Sequence, residues 1–212
     1  MVRFIRASDK TDGLDHLMQL VVRSLLEGRH IYACAAKVFL GESTQDEMRD
    51  EVYAVERRIL DLERQISREI VLYATVHGQK DLERGVRFVG ILKDAARIGE
   101  ISMSLYQLAA LGGEARDPDF YGMRDELALS MREAQAIFIE ENETRAQKFF
   151  EKADLFEDRC ESKIAALIAE DEAPASALWC RANQRVMALL VRVLATLFQP
   201  IEDASGQDDW PV

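Results

Sequence analysis

The chain is poor in the residues that interrupt helices, cross-link chains or grip nucleic acid. Among 212 residues there are four prolines, three cysteines and three histidines, and aromatic residues make up only 8%. The prolines are Pro118, Pro174, Pro200 and Pro211, so nothing in the first half forces a helix to stop. The cysteines, Cys34, Cys160 and Cys180, are odd in number and form no CxxC pair. That spacing argues against a disulfide framework and a zinc finger, and favours a reducing compartment with plain buried thiols. His16, His30 and His77 lie far apart, and Glu27–His30 is the single ExxH spacing, where a ferritin-like di-iron bundle needs two. Neither GxGxxG nor GxxxxGK[ST] occurs, which removes the usual signs of nucleotide binding. No stretch near 20 residues is free of charge, so no transmembrane segment is expected. Basic residues are in the minority, 27 against 38 acidic ones, for a net charge of −11. A nucleic-acid partner, whose affinity rests on cations meeting phosphates, is not expected. With an N-terminus lacking the apolar run of a signal peptide, the expected location is cytoplasmic.

What the chain does have is helix period. Hydrophobic residues are 48% of it and recur at three and four spacings over long windows, while alternating strand patterns are absent. The pattern predicts six helices: about 12–40, 45–76, 79–111, 120–141, 143–169 and 175–198. Ser43-Thr44 offers an N-cap to the second, and His77-Gly78 a C-terminus. The convincing linker is Glu114–Pro118, and the SGQDDWPV tail, within 201–212, is expected to fray. Long helices joined by short turns predict an all-α, antiparallel bundle.

The chain also repeats. A shift of 98 residues lays Met48–Ile70 on Ala146–Ile168, with Leu62 on Cys160, Ile66 on Ile164 and Glu63 on Glu161. Each half then carries an acid, a second acid seven residues on, and an isoleucine ten residues on. Seven residues are nearly two helical turns, so Glu56 and Glu63 share a face, as do Asp154 and Glu161. Carboxylates so stacked can supply oxygen ligands to a cation, although acids also decorate any solvated helix face.

The third helix reads Asp81-Leu82 at its start and Arg97-Ile98-Gly99-Glu100 farther on. With Glu56, Ile59, Glu63 and Ile66 on the second helix, this resembles the PhoU family, cytoplasmic regulators of phosphate uptake. The resemblance covers roughly residues 12–198. It implies two tandem three-helix bundles, here 12–112 and 118–200. It also implies acidic inner faces able to hold iron or zinc-like ions, and action as a non-catalytic adaptor. The partners it implies are a phosphate transporter subunit and a sensor histidine kinase, at the inner face of the membrane, with a homodimer as the oligomer.

The sequence departs from that pattern at informative places. Where the family usually has a Glu four residues before the block's last acid, this chain has Ala96. Asp94 lies about 240° from Glu100 around the helix and cannot stand in. Arg97, three residues from Glu100, is placed to neutralise it. In the second half the counterpart block is Gln184-Arg185-Val186-Met187-Ala188, without a carboxylate. The expected metal ligands are therefore Glu56, Glu63 and Glu100, with Asp154 and Glu161 a degenerate second site. No cofactor is required, and any divalent or ferric ion sits weakly in the first repeat. The alternatives are an accessory protein of another phosphate or ion transporter, and a metal-binding carboxylate bundle.

Overall fold

The computed structural model describes residues 9–77, 79–110, 118–169 and 174–198; the side chains of residues 9–14, 70 and 72–86 lie outside that description. Six helices run in chain order: α1 Asp9–Phe39, α2 Gln45–His77, α3 Gln79–Ala110, α4 Pro118–Glu140, α5 Glu143–Ala169 and α6 Pro174–Phe198. Among the described residues there is no strand. Gly78, residues 114–117 of the expected Glu114–Pro118 linker, the turn at 170–173 and the tail at 201–212 lie outside the described residues, while Pro118 opens α4.

Local chemistry sets the helix ends. Pro118 and Pro174 occupy the first positions of α4 and α6, where a missing N–H costs nothing. At the α1–α2 corner, Gly41 takes φ 72°, and Glu42 N donates to Lys37 O at 2.8 Å, closing the left-handed C-terminal turn. Thr44 then forms a capping box: Glu47 N donates to Thr44 Oγ1 at 3.3 Å, and Thr44 N donates to Glu47 Oε2 at 2.8 Å. The backbone hydrogen bond, with the hydroxyl second, holds the Glu47 carboxyl below its ordinary range. The α4–α5 corner repeats the device. Glu141 takes φ 48°, and Asn142 Oδ1 accepts from Arg145 N at 2.9 Å. The two caps, Thr44 and Asn142, stand at the same 98-residue offset as the apolar pattern.

The helices form two groups of three, α1–α3 and α4–α6, pressed together along two seams: α3 lies on α6 and α1 on α4. One continuous apolar core runs through both groups rather than two separate ones. Trp179 of α6 is its centre, stacked on Phe39 of α1 at 5.5 Å and meeting Phe120 of α4 edge-on at 5.3 Å. Polar contacts also cross between the groups. Tyr32 OH donates to Asn183 Oδ1 at 2.7 Å between two fully buried side chains. Arg192 of α6 grips the buried Asp94 of α3 through two nitrogens, Nε reaching Oδ2 at 3.0 Å. Asp94 thus serves the seam between the groups and does not face Glu100.

Candidate functional site

Helix α2 presents two faces to two neighbours. Glu51 and Arg58, seven residues apart, look toward α1; Arg58 makes a two-point ion pair with Glu27 there, both contacts at 2.9 Å. Glu56 and Glu63, also seven apart, lie about 120–140° round from Glu51 and so belong to another side. On that side Glu63 faces α3.

A groove of about 400 Å³ runs between α2 and α3, lined by Glu63, Ser67, Lys93, Ala96, Arg97 and Glu100, among others. Burial pushes the Glu63 carboxyl up from its ordinary range, and the charge of Glu100 pushes it further. These two expected residues are therefore brought together. Glu56 is half-buried and does not line the groove. Among the described residues, Glu56, Glu63 and Glu100 do not gather three ligand atoms within 4.8 Å of one another. Arg97 stands exposed between two grooves, lining this one and a second, of about 200 Å³, against α6. Asp81 lies in the first turn of α3, its side chain outside the described residues.

The middle of the Arg97–Glu100 block is a packing joint. Ile98 is fully buried, and a Cβ at Gly28 of α1 would stand 3.1 Å from its Cγ2. A Cβ at Gly99 would stand 2.6 Å from Ile59 Cδ1 of α2. Gly28, Ile59, Ile98 and Gly99 therefore let α1, α2 and α3 close on one another, which sets Glu100 opposite Glu63. A Cβ at Gly99 would require the flexible end of Ile59 to move aside, so the glycine eases this approach although a helix interior favours alanine by about 1 kcal/mol.

In the second group an amide holds the corresponding place. Gln184 Nε2 donates to Glu161 Oε1 at 3.1 Å, while Gln184 Oε1 accepts from Arg181 Nη1 at 2.6 Å. Asp154 and Glu161 are both exposed on α5. Between them Glu157 has its carboxyl pushed up, by burial first, then by Asp154, Glu161 and Asp158.

The donor set can be set against the metal clusters that the family resemblance implies. Glu63 and Glu100 are two carboxylates sharing their groove with Lys93 and Arg97, and Ala96 supplies no oxygen. Stable multi-ion clusters of hard cations need more oxygen ligands than this, so the residues present do not fit one.

A third constellation escaped sequence reading. His30, Cys34 and Glu51 bring one ligand atom each to within 4.8 Å of the others, and His30 Nε2 lies 2.6 Å from Glu51 Oε1. The i,i+4 spacing of His30 and Cys34 was visible. That Glu51 would lie opposite depends on the α1–α2 register, which pairs His16 with Glu69 and Glu27 with Arg58 at residue numbers summing to 85.

No family model matches this sequence, and no curated protein matches it either. Among solved structures, the chain is similar to the phosphate transport system regulatory protein PhoU from Streptococcus pneumoniae, with a TM-score of 0.64. The match covers 87% of this chain and 94% of that one at 14% identity. Six helices in two groups of three, matched over nearly the whole of both chains, make this an all-α, PhoU-like fold.

Proposed function

We propose that this protein is a PhoU-like regulator of phosphate uptake, a non-catalytic adaptor that binds the transport and sensing machinery and shifts its populations. The observation that carries this reading is the likeness of nearly the whole chain to a phosphate transport regulator. The Arg97–Glu100 block supports it by lying where α1, α2 and α3 meet. An adaptor works by binding one state of its partner more tightly than another, and needs no chemistry of its own. The side chains agree with that role. Burial is the first cause pushing up the Cys34 thiol, the Cys160 thiol (to about 12) and the Tyr32 phenol, which leaves each a poor nucleophile at neutral pH. The partners in this reading are a phosphate transporter subunit, a sensor histidine kinase, or both, reached from the cytoplasm at the inner face of the membrane. Among the described residues no helix is long and apolar enough to cross a membrane.

One weakly held divalent or ferric ion between Glu63 and Glu100 belongs to this reading as an accessory, and folding does not depend on it. The test is deletion of the gene in its host under phosphate-rich growth, with phosphate uptake and phosphate-starvation gene expression as readouts. Uptake or expression rises if the protein restrains the system. Unchanged values, together with co-purification of a different carrier, transfer the assignment to an accessory protein of another phosphate or ion transporter.

A further inference from the structure

The α1–α2 seam is a ladder of polar pairs. At one rung His16 meets Glu69 at 3.8 Å, and at the next Glu27 holds Arg58. At the third, the charge is reversed: Glu51 stands on α2, and His30 and Cys34 of α1 face it. An ion-pair rung explains His30 and Glu51, 2.6 Å apart. It does not explain Cys34, since a thiol beside a carboxylate gains nothing as a charge partner. One nitrogen, one sulfur and one oxygen converging from two helices is a metal donor set. We propose that His30 Nε2, Cys34 Sγ and a Glu51 carboxylate oxygen bind one zinc-class divalent cation, clamping α1 to α2 and leaving a fourth position open to solvent.

The geometry suits that ion. Zinc takes sulfur at about 2.3 Å and nitrogen or oxygen at about 2.0–2.2 Å, so tetrahedral donors stand about 3.3–3.7 Å apart. The three ligand atoms already lie within 4.8 Å of one another, and rotamer adjustment of the half-exposed His30 and Glu51 opens their 2.6 Å contact to the donor spacing. Cys34, 4% exposed, forms the floor of the site, while the His30 and Glu51 side chains, 42% and 48% exposed, form its rim. On binding, the metal–sulfur bond forms as the thiol S–H breaks and its proton leaves to solvent. Thiolate and carboxylate then balance the two positive charges of the ion, so the seam acquires no net charge. A thiolate and an imidazole select against magnesium and calcium, which want oxygen alone. This site lies on the other side of α2 from the Glu63–Glu100 groove, and its existence does not depend on the phosphate-uptake reading.

The experiment uses the full chain, purified metal-free under reducing conditions and titrated with cobalt(II), then with zinc in competition. The expected result is a single-site thiolate-to-cobalt charge-transfer absorption that zinc displaces. Cys34→Ala removes that absorption. His30→Gln and Glu51→Gln, at half-exposed positions that leave the fold intact by circular dichroism, weaken cobalt binding at least as much as loss of an outer-shell partner does, about 10- to 100-fold. A Cys160→Ala/Cys180→Ala control keeps the signal. Absence of a charge-transfer band, or a band that survives Cys34→Ala, overturns the site. Cobalt binding lost in Glu63→Gln but unchanged in Cys34→Ala overturns it too, and places the ion between α2 and α3.

Discussion

Removing the Tyr32 hydroxyl tests whether the two helix groups are locked by a specific buried contact or merely by apolar adhesion. Tyr32 and Asn183 are both fully buried, so no solvent can replace the lost donor when Tyr32 becomes phenylalanine. The Asn183 amide keeps its bond from Nδ2 to Trp179 O at 3.0 Å, but Oδ1 loses its hydrogen-bond donor. A buried polar atom stranded in this way costs about 1–3 kcal/mol. For a chain of this size each kcal/mol moves the melting temperature by about 2–4 °C, so Tyr32→Phe should melt about 2–12 °C lower. Replacing both partners tests the cause, because an apolar pair strands nothing. Tyr32→Phe/Asn183→Leu should therefore lose less stability than the two single changes added together. Burial also raises the Tyr32 phenol above its ordinary value of 10.0. Its contribution is therefore fully present below about pH 10 and is lost above it, as the unfolded phenol ionises and the folded one does not. Thermal melts across pH 8–11, wild type beside Tyr32→Phe, should show a steeper alkaline loss in wild type. A melting temperature unchanged within a degree in Tyr32→Phe, or strictly additive single changes, would refute the reasoning.

Three further outcomes are expected. Gly99→Ala brings a Cβ to 2.6 Å from Ile59 Cδ1, the flexible end of that side chain, so the net loss, overpacking less about 1 kcal/mol of helix gain, should fall at the low end of about 0–2 kcal/mol. Ile59→Val removes that methyl and should rescue Gly99→Ala in chemical denaturation; simple addition of the two effects would mean that α2 and α3 do not meet there. Thr44→Ala removes the hydroxyl of the capping box and should cost about 0.5–2 kcal/mol, read as a lower urea midpoint at unchanged slope. Glu63→Gln should raise the melting temperature at pH 7. The raised Glu63 carboxyl favours the fold fully only below its unfolded value near 4.5, and that support is lost as pH rises through the folded value. The gain should vanish below about pH 4; a gain that persists there would assign it to packing.

Much of the architecture was legible because helices are written locally. The three- and four-residue apolar period, the Thr44 cap and the positions of Pro118 and Pro174 are short-range signals, and all six helices appear close to where they were expected. The offset of 98 residues was legible too, and the caps at Thr44 and Asn142 share it. The pairing of Glu63 with Glu100 was legible only through resemblance, since no local rule tells α2 which face of α3 it meets. The lack of a carboxylate in the Gln184–Ala188 block was legible too, and it is the Gln184 amide that meets Glu161.

What sequence alone determined is the six helices, the Thr44 cap of α2 and the lack of a carboxylate in the Gln184–Ala188 block. Each of these depends on residues within a few turns of one another. Tertiary structure alone decided the rest. It put Trp179 against Phe39 and Phe120 in a core common to both groups, spent Asp94 on Arg192 across the seam, and brought Glu51 to His30 and Cys34. These choices depend on helix register and rotation, which side-chain volumes at Gly28, Ile59, Ile98 and Gly99 settle when the helices close, and which no single stretch of sequence contains.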